Sequence, residues 1–123
     1  MKEILETFIN EIKTIPGFIS VSITEIISGV AYKSYTANKN FDLNIVAPYN
    51  LEVVKAKLKA IETLNLTEGI EDIAITSSNQ MHIINVAPNR AYFIYLAVSS
   101  KDANVAITKS LLSKHKKALY AVI

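Results

Sequence analysis

The chain has no cysteine and no tryptophan, and its 123 residues include only three glycines, three prolines and two histidines. Arg90 is the single arginine. Without cysteine there can be no disulfide and no thiolate metal site, which fits a reducing compartment. Three glycines leave little from which to build a phosphate-cradling loop. Neither Gly-x-Gly-x-x-Gly nor Gly-x-x-x-x-Gly-Lys-Ser/Thr occurs, and there is no His-Glu-x-x-His or EF-hand pattern. No run approaches the roughly 20 apolar residues that a membrane-spanning helix needs. Glu3 and Glu6 interrupt the first apolar residues, where a signal peptide would need an unbroken stretch. A cytoplasmic protein is the expectation. The formal charge of +2 gives no basic stripe for nucleic acid.

What is present is an ordinary globular composition, 50% apolar and 20% charged. The length suits one domain over residues 1–123, long enough to bury a core without staples.

The hydrophobic period changes along the chain in an informative order. Ile4, Phe8, Ile12 and Ile15 fall three or four apart, with Leu5 and Ile9 beside them, and predict an amphipathic helix that Pro16-Gly17 stops. Ile19, Val21 and Ile23 then alternate with Ser20, Ser22 and Thr24, as in a half-buried strand. Ser28-Gly29 reads as the turn into a return strand over Val30 to Thr36. Phe41 to Val46 fits either a short strand or an apolar loop. A second helix is expected from about Leu51 to Leu64, opened by Pro48 and capped by Asn50, with Leu51, Val54, Leu58 and Ile61 as its stripe.

Ile70 to Thr76 and Met81 to Val86 read as a second hairpin around Ser77 to Gln80. Ala91 to Val98 is almost wholly apolar, so it should be a central strand with helices over both sheet faces. A third helix begins near Asp102, capped by Ser99 or Ser100, with Ala103, Ala106, Ile107 and Leu111 on it. The apolar tail from Ala118 to Ile123 should dock on this subunit or on a neighbour. The order is α-ββ-α-βββ-α, an α+β class.

Chemistry is harder to find. His82 lies opposite Met81 and Ile83 in a strand and reads as a surface or hydrogen-bonded histidine; His115 sits among lysines and reads as solvated. Glu71 and Asp72 are adjacent, point to opposite faces and cannot easily share a proton. Ser99 and Ser100 have no histidine motif to activate them. Asn65-Leu66-Thr67 matches a glycosylation sequon but lacks an export signal. No catalytic, metal or cofactor-binding residue is assigned, and an enzyme is not expected.

Val53, Val54, Ala56, Leu58, Ala60, Ile61 and Leu64 give the second helix more apolar surface than one seam needs. Lys55, Lys57 and Lys59 lie mostly off the stripe. An apolar strip with a charged rim is how partner surfaces usually look.

Three fragments, in order, carry a resemblance: Ile15-Pro16-Gly17-Phe18-Ile19 at a strand entry, Gly29-Val30-Ala31-Tyr32-Lys33-Ser34 after a hairpin turn, and Tyr92 to Val98 leading to Asn104. In this order the chain resembles the roadblock family of dynein light chains and small-GTPase regulators. The first turn departs from the pattern with Ile26-Ile27-Ser28, and Ala103 replaces a more polar residue. The resemblance implies a five-stranded antiparallel sheet with the second helix on one face and the terminal helices on the other. It implies a dimer, either with itself or with a roadblock-like paralogue. The second helices would lie side by side through Val54, Leu58 and Ile61, with Lys55, Lys57 and Lys59 flanking. The third strand, with Ile73 and Ile75, would pair across the two-fold. It implies a non-enzymatic scaffold for a small Ras-like GTPase whose hydrolysis it modulates. Arg90, in a turn, is not expected to act as an arginine finger. The alternative is a ligand sensor of profilin or PAS-like plan, with a pocket lined by Tyr32, Tyr92 and Tyr95.

Overall fold

The computed structural model describes residues 1–67 and 69–123, with every side chain among them except that of Ala121. Helix α1 (Lys2–Ile12) is followed by strands β1 (Phe18–Glu25) and β2 (Ala31–Thr36), then helix α2 (Leu43–Thr63). Strands β3 (Asp72–Thr76), β4 (Gln80–Val86) and β5 (Tyr92–Ser99) come next, then helix α3 (Val105–Lys116) and a closing 3₁₀ turn (Lys117–Ala121). The five strands are antiparallel in the order β2-β1-β5-β4-β3, which leaves β2 and β3 as edges.

β5 holds the centre because it has no polar face. Tyr92, Ile94, Leu96 and Val98 point into the larger core with Leu5, Phe8, Ile9 and Ile12 of α1 and Leu112 of α3. Phe93, Tyr95 and Ala97 point the other way, into a second core with Val54 of α2. The expected covering of both faces is therefore present.

β1 differs from its expectation. Ser20, Ser22 and Thr24 are as buried as the apolar residues between them. They pair with Ala97, Tyr95 and Phe93 and share that face of the sheet. Alternation reports polarity, but in an inner strand both faces are covered.

Two helix starts also differ. α2 begins eight residues before Leu51, with Asp42 as its N-cap accepting from the Asn44 amide at 2.9 Å, and Pro48 lies inside it. Phe41 to Val46 thus resolves into a cap and a first helical turn. In α3 the cap is Asn104, whose side chain accepts from the Ile107 amide at 2.8 Å. Ser99 instead ends β5, and the Ser100 hydroxyl donates to the Ser78 carbonyl. An amide or carboxylate oxygen caps as well as a hydroxyl, so spacing alone does not separate the candidates.

Gly17 sits at φ +78°, and a Cβ there would meet the Ser99 carbonyl at 2.9 Å. That close approach joins the start of β1 to the end of β5, where the Ser99 amide donates to the Gly17 carbonyl. The tail docks on its own subunit, with Leu119 fully buried in the larger core.

Candidate partner surface

α2 fully buries only Val54, although it is the longest helix among the described residues. The other contacts to its sheet come from half-buried Leu43, Val46, Leu51, Val53 and Leu58. A helix this lightly buried should be polar on its far side, and this one is not. Ile45, Tyr49, Ala56, Ala60 and Leu64 are exposed, with half-buried Val53 among them. Ile45, Tyr49 and Leu64 keep 63%, 67% and 67% of their surface. At steps of four and seven residues the exposed positions lie along one stripe, with Val53 at its border, partly packed on the sheet.

The residues expected to pair helices lie elsewhere. Val54 is wholly covered by its own sheet and Leu58 packs on the same core. Ile61 is half-buried. Val54 therefore has no surface left for a partner, because the stripe that fits the sheet is the one the periodicity finds first. Lys55, Lys57 and Lys59 are all exposed. Sequence periodicity misses Ile45 and Tyr49 because it starts the helix too late; Asp42 before Leu43, Val46 and Ala47 is the signal that marks them.

β3 lies at the sheet edge, paired only with β4. Ile73 packs into the core beneath α2, and Ile75, two residues on and so on the same face, is half exposed at 50%. The opposite edge is better guarded. β2 has a register shift against β1, Lys33 faces Glu6 at 3.6 Å, and the Lys13 ammonium lies 5.4 Å from the Tyr35 ring centroid. Irregularity and lysines blunt an edge against pairing. The short run Asp72-Ile73-Ala74-Ile75-Thr76 pairs in regular register and has a lysine only at its start, where Lys109 of α3 meets Asp72 at 3.1 Å.

His82 and Tyr95 lie under the N-terminal part of this layer. The Tyr95 hydroxyl is 3.2 Å from His82 Nδ1, and His82 Nε2 is 2.9 Å from Gln80 Oε1. Phe41 stacks on Tyr95 and meets His82 edge-on. Burial lowers the His82 pKa. Burial also raises that of Tyr95, a rise that a hydrogen bond with Asn50 opposes. This is a satisfied structural histidine, as its place in the strand suggests. His115 is not free: its Nδ1 is 2.7 Å from Glu11. Tyr32, Tyr92 and Tyr95 share no pocket. Tyr92 and Tyr95 stand three apart on one strand and face opposite sides, and the Tyr32 hydroxyl donates to Glu25 at 3.0 Å. Among the described residues no group of three or more His, Asp or Glu could hold a metal, and no helix is long and apolar enough to cross a membrane.

No protein-family model and no curated protein matches the sequence. Solved structures do match. The gliding protein MglB of Thermus thermophilus superposes with TM-score 0.80 at 13% identity, over 95% of this chain and 86% of that one. Myxococcus xanthus MglB gives 0.77 at 9% identity, over 98% and 91%. A Roadblock/LC7 domain from Streptomyces avermitilis gives 0.71 at 6% identity, over 92% of each chain.

The chain has the roadblock fold. At these identities the likeness is one of architecture. In this roadblock fold the bare stripe of α2 and the open edge at β3 both border the same face of the sheet.

Proposed function

We propose that this chain is a non-enzymatic scaffold that forms a dimer through α2 and β3 and offers the joined surface to a small Ras-like GTPase, whose hydrolysis it modulates. One observation carries the reading: α2 and its C-cap leave Ile45, Tyr49, Ala56, Ala60 and Leu64 exposed along one side, away from the core. A monomer gains nothing from holding such a stripe in water. A second copy covers it economically, because a two-fold axis sets the same stripe against itself and two β3 edges side by side. Ile73 and Ile75 continue that seam onto the sheet. Lys55, Lys57 and Lys59 stand around the apolar strip as its charged rim, where they would meet the GTPase. The roadblock fold, and the family resemblance of the sequence, favour this partner class over others. Arg90, in the β4–β5 turn, is assigned no part.

The first experiment is light scattering across a range of concentrations. The reading expects a particle of twice the 13.6 kDa chain. The second adds purified Ras-like GTPases of the source organism, loaded with GDP or with a non-hydrolysable GTP analogue. Binding that depends on the nucleotide, and that Tyr49→Asp abolishes, is the expected result. A monomer at every concentration would sink the dimer, and nucleotide-independent or absent binding would sink the GTPase assignment.

A further inference from the structure

Charge is divided unevenly along the chain. All eleven Asp and Glu lie before Ala103, and from Ala103 to Ile123 there are four lysines and no acid. That segment is α3 with the closing 3₁₀ turn. It packs on the larger core through Leu112 and Leu119, on the sheet face opposite α2.

The outer side of α3 faces solvent. Ile107, Ser110, Lys114 and Lys117 are all exposed at steps of three and four residues, and Tyr120 follows three residues on. Ile107 keeps 53% of its surface and Tyr120 40%. Lys109 is tied to Asp72 at 3.1 Å, but Lys114, Lys116 and Lys117 make no ion pair among the described residues. On neighbouring α1, Glu6 meets Lys33 at 3.6 Å and Glu11 meets His115 at 2.7 Å. Cations in the last turn suit the helix dipole, but the dipole does not account for the absence of acids from the whole segment. The helix offers solvent a positive face with an apolar residue at either end.

We propose that this face of α3 lies on an anionic lipid surface. The lysines meet the phosphate headgroups, and Ile107 and Tyr120 enter the headgroup boundary. A folded protein partner is usually met with an apolar centre and a polar rim. Here lysines separate two apolar ends, which suits a plane of headgroups on which a basic helix lies flat. α2 stays clear on the other face of the sheet. No residue of α2 or β3 takes part, so the lipid contact stands or falls separately from the GTPase reading.

The test is flotation of the full chain with vesicles of phosphatidylcholine alone, or of phosphatidylcholine with about one-third phosphatidylglycerol. The chain should float only with the anionic vesicles. Salt at about 1 M, which shortens the screening length to about 3 Å, should release it. Lys114→Ala with Lys117→Ala should weaken binding about 25-fold, or about fivefold per lysine. Ile107→Ser should weaken it at unchanged charge. Lys55→Ala with Lys59→Ala removes the same charge from α2 and should leave binding as it was. No flotation, equal flotation with both kinds of vesicle, or an equal loss from the α2 pair would each overturn the proposal. Release from the vesicles by soluble polyglutamate at matched charge would overturn it too, and would put an acidic polypeptide on this face instead. The comparison of vesicles needs no variant.

Discussion

The Tyr95 hydroxyl meets His82 Nδ1 at 3.2 Å across the β4–β5 pairing, and the other ring nitrogen meets Gln80 Oε1 at 2.9 Å. Those two contacts fix the tautomer. Gln80 Oε1 can only accept, so Nε2 carries the proton and Nδ1 accepts from Tyr95. A second proton on the ring would displace the Tyr95 donor and place a charge beneath α2.

Stability should therefore fall in mild acid. Burial lowers the folded pKa of His82 below its ordinary 6.5. The folded state then binds fewer protons than the unfolded state as pH drops below that value. The His82 contribution is complete above about pH 6.5 and is lost as pH falls toward and through the lower folded pKa. Urea midpoints measured between about pH 7.5 and about pH 5 should decline in the parent and decline less in His82→Gln. Parallel curves would mean that this ring does not titrate with folding.

Leu58→Asp and Tyr49→Asp should fail in different ways. Leu58 packs on the chain's own sheet, so a carboxylate there should cost about 2–4 kcal/mol of folding stability. Tyr49 is 67% exposed, so its aspartate should cost within about 0.5 kcal/mol in the separated chain and lower the solution mass instead. Thermal melts paired with light scattering distinguish the two. Equal effects on stability would place Tyr49 in the core of the subunit.

Gly17→Ala should be poorly tolerated. The position holds φ +78°, and the new Cβ would sit 2.9 Å from the Ser99 carbonyl oxygen. Left-handed strain costs about 1–3 kcal/mol, and the crowding of backbone against backbone adds to it. Gly69→Ala is the control, because nothing lies within 4 Å of its would-be Cβ. Chemical denaturation of both variants should show a clear loss only at Gly17.

Much of this architecture is legible in the residues. Pro16-Gly17 ends a helix, Ser28-Gly29 makes a hairpin turn, and the unbroken apolar run through Phe93 and Leu96 requires the central strand. These are local signals. Glycine and proline restrict backbone angles wherever they occur, and a strand with no polar face must be covered twice. The element order α-ββ-α-βββ-α follows from that local physics.

The surface is less legible, and α2 shows why. Periodicity finds Val54 and Leu58 because they repeat at helical spacing, but spacing does not say which of two apolar stripes meets the sheet. Ile45 is as apolar as Leu51 and Val54, and Tyr49 adds an aromatic ring at the same helical spacing. Only the docking of α2 over Phe93, Tyr95 and Ala97 assigns one stripe to the core and leaves the other in solvent. The same holds for Tyr92 and Tyr120, 28 residues apart in the chain, which line one slot when the last turn folds back over the β4–β5 hairpin. The sequence by itself determined the elements and their order, because short-range backbone sterics and hydrophobic period act within a few residues. Which faces stay exposed, and which distant side chains meet, was decided by the tertiary structure, because burial depends on what else packs there.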